Sequence, residues 1–137
     1  CFWTYKGAPS YLNGNEIHVS AISNLDDSFI ALGFPYATEE YKPMANHLVN
    51  TLYGNVAGLR LMGAAAVELC YIAAGRFEAR IEAFIGPWDI AAGTIILQNA
   101  GGMITDFKGG DSYSSGSQVL ASNGRIHRDL LNIIDNL

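Results

Sequence analysis

Two carboxylates in this sequence stand where side chains can do chemistry. Asp89, in the stretch Gly86-Pro87-Trp88-Asp89-Ile90, opens a long apolar segment, and Glu82 lies seven residues before it at the end of an alternating one. At a helix N-terminus a carboxylate faces unpaired backbone N–H groups and the positive end of the macrodipole, which favours its ionised form. Such a residue serves either as an N-cap or as a metal ligand. Mg²⁺ takes hard oxygen donors, one or two of them carboxylates, with water and substrate phosphate completing its octahedron. Residue type alone leaves both roles open for Asp89. By itself Glu82 reads as a solvent-facing strand carboxylate, and Arg60 as one half of a surface ion pair.

Other reactive side chains have plainer readings. His18, His47 and His127 lack a spacing suited to a shared metal site. Cys70 falls in an Ala-rich helical stretch and reads as a small buried apolar residue. The Asp26-Asp27 pair reads as part of a polar turn, and Trp88 as packing the helix start against the core. No Gly-x-Gly-x-x-Gly follows a strand, so a dinucleotide site is not supported.

The elements that must position Asp89 and Glu82 alternate along the chain. The opening residues read as the tail of a strand followed by a turn; residues 16–22 and 28–34 read as strands, being β-branched and aromatic between turn residues. A helix is predicted from Thr38, its N-cap, with Glu39 and Glu40 in the first turn, Pro43 in the first turn or two, and Met44, Leu48 and Leu52 on one face before Gly54. Residues up to Met62 read as a strand, and Ala64–Ala74 as a buried helix stopped by Gly75. Strict alternation then puts Phe77, Ala79, Ile81 and Ala83 on one strand face and Glu78, Arg80 and Glu82 on the other. Asp89–Ala100 is predicted as a helix stopped by Gly101-Gly102, followed by the strand MITDF, a polar loop and the strand QVLASN. A terminal helix carries Leu130, Ile133, Ile134 and Leu137 at helical spacing. The interleaving predicts a mixed α/β layer structure without a regular βαβ series.

Composition bounds the partners. The chain has 137 residues, 50% apolar and 15% charged, enough for one packed domain. Its eight Lys and Arg are scattered and its net charge is -5, so nucleic acid is not an expected partner. An acidic chain still binds an anionic substrate when a metal ion carries the charge. Cys1 and Cys70 lie far apart and no signal-peptide pattern is visible, so a reducing, cytoplasmic setting is expected. Apolar runs are broken by Glu68, Arg76 or Gln98, short of the roughly 20 residues of a membrane span. The chain starts at Cys1 rather than methionine, which reads as truncation or processing.

The stretch PWDIAAGTIILQNAGGMITDFKGG resembles the C-terminal signature of the inositol monophosphatase family of Mg²⁺-dependent, lithium-sensitive sugar phosphatases, in which Trp-Asp-x-Ala-Ala-Gly precedes a helix ending in Ala-Gly-Gly. Further resemblances run collinearly along the chain, in GAPSYLNGNEIHVS, LGFPY, LRLMGAAAVELCYIAAGRFEARIE and VLASN. The resemblance implies the layered αβαβα sugar-phosphatase fold, here its C-terminal portion with a mixed sheet and flanking helices. It implies that Asp89 ligates a catalytic metal ion, that Glu82 accepts hydrogen bonds from sugar hydroxyls, and that Gly63, Ala64 and Ala65 start the helix bordering the substrate ring. Arg60 is a further candidate, holding Glu82 or a neighbouring subunit.

The family's upstream Glu-Glu pair and Asp-Pro-(Ile/Leu)-Asp-Gly-Thr segment, which supply most metal ligands, do not occur in these 137 residues. The chain therefore resembles the C-terminal half of such an enzyme, with the N-terminal metal-binding half as its missing partner. For the whole enzyme the resemblance implies two or three Mg²⁺ ions, inhibition by Li⁺, a homodimer, and hydrolysis of inositol monophosphate or a similar small polyol phosphate by metal-activated water. The 137 residues alone are expected to be nearly inactive. The alternatives are a 3'(2'),5'-bisphosphate nucleotidase or fructose-1,6-bisphosphatase of the same superfamily, and a non-catalytic binding or assembly module.

Overall fold

The computed structural model describes residues 1–36 and 38–136, without the side chain of Thr38. The expected N-cap role of Thr38 and the place of Leu137 in the terminal helix lie outside the described residues. Three short strands, β1 (Phe2–Trp3), β2 (Ser10–Leu12) and β3 (Asn15–Ile17), form an antiparallel meander. Five others form a mixed sheet in the order β5 (Gly58–Arg60), β4 (Phe29–Leu32), β6 (Ala79–Ile85), β8 (Ser117–Ser122), β7 (Met103–Thr105). Strand β4 runs parallel to both β5 and β6, whereas β8 is antiparallel to β6 and β7.

Helices cover both faces of the larger sheet. On one face α1 (Thr38–Leu52) and α4 (His127–Asp135) bury Tyr41, Leu48, Leu52, Leu130 and Ile134 against Ile30, Leu32, Ile81 and Leu120. On the other, α2 (Ala65–Ala73) and α3 (Pro87–Asn99) bury Leu69, Ile72, Ile90 and Leu97 against Val119 and Ala121. Phe2, Ile17 and Val19 of the meander region pack behind α2 and α3, and Ser10 Oγ donates to the Ile96 carbonyl at 2.7 Å. The layers are thus helices, five-stranded sheet, helices, three-stranded sheet, four consecutive layers of the αβαβα order. Among the described residues no helix is long and apolar enough to cross a membrane.

Four sequence expectations change. The opening residues form a strand pair instead of a strand tail, and of the strand predicted over 16–22 only the ladder Asn15–Ile17 exists. Beyond it the backbone is satisfied without a ladder: Val19 N–H donates to the Ala100 carbonyl, and the Asn123 amide donates to the Ser20 and Ile22 carbonyls. The strand predicted up to Met62 closes at Arg60. The largest change concerns β6, whose polar face is not solvated. Glu78 and Arg80 are buried, because β6 is the central strand and α2 and α3 cover that face.

A bulge ends this strand. The register of β6 on β8 shifts between Ala83 and Ile85, and Phe84 takes the left-handed conformation, φ 60°. An extra residue in one strand reverses the side-chain alternation beyond it. Ile85 consequently packs with α2 and α3, although Ala83 packs with α1 and α4. The exposed Phe84 ring meets Tyr41 edge-on at 6.1 Å.

Candidate active site

The three mutually parallel strands β5, β4 and β6 all end at one cavity of about 540 Å³. Its walls are the residues at or just beyond the end of each strand: Gly33 to Tyr36 after β4, Leu61 to Gly63 after β5, and Phe84, Ile85 and Asp89 at and after the end of β6. The carboxyl ends of parallel strands are where open α/β sheets bind ligands, since successive loops diverge there and leave a crevice. Glu82 and Arg80 reach the cavity from the buried face of β6, and Ala65 from the first turn of α2.

Asp89 enters from α3. The N-cap of this helix is Gly86, at φ -78° and ψ 148°, and Pro87 occupies the first helical position, where its missing N–H costs nothing. Asp89 is the third helical residue, makes no cap hydrogen bond, and is exposed into the cavity. The capping role is therefore taken by the backbone geometry of Gly86-Pro87, and the Asp89 carboxylate accepts no hydrogen bond from the described residues. Ile90, next in the helix, is buried and anchors that turn.

Glu82 is held. Its Oε2 accepts a hydrogen bond from Arg80 Nη2, and a Cβ at Gly33 would run into its Cγ, Cδ and Oε1. Arg80 also pairs through Nη1 with Glu68 Oε2 of α2, and both residues are almost wholly buried. Burial lowers the Arg80 pKa to about 10, opposed by the phenol of Tyr41 and the carboxylate of Asp89, so the guanidinium is charged at neutral pH. The other oxygen of Glu68 accepts the Met62 backbone N–H at 3.2 Å. One guanidinium thus faces three carboxylates, Glu68, Glu82 and Asp89, and the cavity keeps an excess of negative charge suited to a cation.

The start of α2 is set by Gly63 at φ +68°, a conformation that glycine adopts freely, and Ala64 stands at the N-cap without a side-chain cap. Of the residues singled out in the sequence, Glu82, Asp89, Gly63 and Ala65 line the cavity, and Ala64 joins the last two in the chain. Arg60 does not line it. Its guanidinium lies 4.7 Å over the Phe29 ring and donates to the Leu59 carbonyl, away from Glu82. The arginine that holds Glu82 is Arg80, two residues away on the same strand face. Local pattern does not single out Arg80 and Glu68 for the site, although a single Glu inside an Ala-rich buried helix requires a buried partner.

The model of the inositol monophosphatase family matches residues 1–137. The Nus factor SuhB of Escherichia coli K12 is 35% identical over 99% of this chain and 51% of its own length. Among solved structures, the extragenic suppressor protein suhB of Bartonella henselae superposes with a TM-score of 0.91 at 31% identity, over 97% of this chain and 51% of that one. An inositol monophosphatase from Anabaena (Nostoc) sp. PCC 7120 superposes with a TM-score of 0.89 at 31% identity, over 99% of this chain and 56% of that one. The chain spans about half the length of the curated relatives it matches. With its full length matched and its cavity built at the strand ends of the shared fold, the chain belongs to the inositol monophosphatase family.

Proposed function

We propose that this chain forms the polyol-reading part of a Mg²⁺-dependent phosphomonoesterase that acts on inositol monophosphate or a similar small polyol phosphate. The observation that carries the proposal is the convergence of Glu82 and Asp89 on one cavity with the uncapped first turn of α2. Asp89 fits a magnesium ligand: it is a hard oxygen donor, fixed on a helix, free of any capping bond and set in a negatively charged cavity. It fits as one ligand of several, since no group of three or more His, Cys, Asp or Glu placed to hold a metal ion occurs among the described residues. The remaining ligands are proposed to come from the family's upstream acidic segments. Bound there, magnesium supplies neutralisation of phosphate charge and activation of the attacking water.

The chain's own residues do the rest of the recognition. Glu82 accepts a hydroxyl of the polyol, and the backbone N–H groups at the start of α2 face the ligand with the positive end of the helix dipole. Pro87 and Ile90 fix the turn that carries Asp89. A homodimer and Li⁺ inhibition belong to the same proposal. A second reading, action as a Nus factor, is favoured by the naming of the 35% identical relative; the arrangement of Glu82 and Asp89 supports the phosphatase.

The test is phosphate release from inositol 1-phosphate with Mg²⁺. It compares the 137-residue chain alone with the same chain joined to the upstream part of the Anabaena relative. Activity is expected only in the joined protein, and Asp89→Asn is expected to abolish it. Turnover that survives Asp89→Asn would overturn the assignment of Asp89.

A further inference from the structure

The Glu68–Arg80 ion pair, of which Arg80 lines the cavity, has no task in the proposed function. Glu68 is fully buried and Arg80 is 1% exposed. Through Nη1 and Nη2 Arg80 joins Glu68 of α2 to Glu82 of β6. Glu68 in turn holds the Met62 amide, within the loop Leu61–Gly63 that walls the cavity. A continuous polar chain therefore runs from the loop after β5, through α2 and β6, to the carboxylate that reads the polyol.

We propose that Arg80 and Glu68 are positioning residues that fix Glu82 and the adjoining cavity wall for the polyol hydroxyl. The proposal rests on the phosphatase reading above. Its geometric basis is the division of the Glu82 oxygens. Oε2 is taken by Arg80, and Oε1 accepts no hydrogen bond from the described residues. Oε1 lies over Gly33, which contributes no side chain to obstruct it. A ring hydroxyl that donates to Oε1 is accommodated.

Two measurements test this. On the chain itself, hydrogen exchange at the Met62 amide is expected to be slow in the wild type and at least about tenfold faster in Arg80→Met, because Glu68 loses the cation that orients it. Arg80→Lys, which keeps the charge but cannot bridge two carboxylates with a planar fork, is expected to lie between them. It also serves where Arg80→Met does not fold. The second measurement is made on the joined protein. Arg80→Met is expected to raise KM for inositol 1-phosphate about tenfold with kcat within about twofold, the loss of one charge-assisted bond. In a Glu82→Ala background the same substitution is expected to change KM no further, which a merely structural role would not produce. Unchanged KM and unchanged Met62 exchange in a folded Arg80 variant would overturn the proposal. Absence of any phosphatase activity would instead sink the phosphatase reading, and Met62 exchange would then judge the positioning role by itself.

Discussion

Replacing Gly33 by alanine tests the site at its tightest point. A methyl group there would stand 2.6 Å from Glu82 Oε1 and closer still to its Cδ. Gly33 does not adopt a left-handed φ, so alanine meets no backbone penalty and the effect is steric. Its N–H donates to the Ile81 carbonyl at 2.9 Å and ties it to the neighbouring strand, so the backbone has little room to retreat. Glu82 must move, and in moving it gives up its bond to Arg80. A hydrogen bond between charged groups contributes about 1.5–3 kcal/mol. Alanine also restricts the unfolded chain, which returns about 0.4–1 kcal/mol. The net loss is about 1–2 kcal/mol, or a fall of about 4–8 °C in Tm for a chain of this size. Thermal unfolding followed by circular dichroism measures it. In a Glu82→Ala background the collision is gone, and Gly33→Ala is expected to be neutral or slightly stabilising. A Gly33→Ala chain that melts at or above the wild-type temperature would refute the placement of Glu82 against Gly33.

Asp89→Asn is expected to change stability by less than about 1 kcal/mol in urea unfolding, because the residue caps nothing and contributes only a helix-dipole interaction. In the joined protein the same substitution is expected to lower phosphate release by more than about 100-fold. His127 is buried between Ser122 Oγ at 2.8 Å and Thr105 Oγ1 at 2.9 Å, and burial lowers its pKa to about 4. Between pH 6.5 and 4 the unfolded chain binds a proton that the folded chain refuses, so stability is full above pH 6.5 and falls as the pH drops toward 4, by up to about 3 kcal/mol. Urea titrations at pH 7, 5 and 4 check this, and His127→Leu is expected to flatten the profile over that interval. Leu48→Ala removes a fully buried side chain between α1 and the sheet. It is expected to cost about 2–5 kcal/mol in the same assay.

Much of the architecture could be read from local pattern. The helices α1, α2, α3 and α4 carry their own apolar periodicity, acidic first turns or glycine stops, and these signals act within a few residues of chain. Leu48, Leu52, Leu130 and Ile134 fall in the core as their spacing predicts. The family motifs are contiguous, so Asp89 and Glu82 could be singled out before any contact between them was known. Sequence could not place β1 and β2, because strands of two or three residues offer too little alternation and exist only through their partners.

The tertiary structure decided what the polar face of β6 means. Alternation says that Glu78, Arg80 and Glu82 share a face, and an isolated strand would turn that face to water. Whether it meets water or another layer depends on the order of strands in the sheet and on α2 and α3 lying across it, which are long-range facts. The same facts replaced Arg60 by Arg80 as the partner of Glu82, and placed the carboxylate of Glu68, twelve residues before Arg80 in the chain, against it. Local sequence determined which residues could serve, because helix periods, caps and turns are short-range. Burial and pairing are properties of surfaces brought together from distant parts of the chain, and for that reason only the folded chain could assign them.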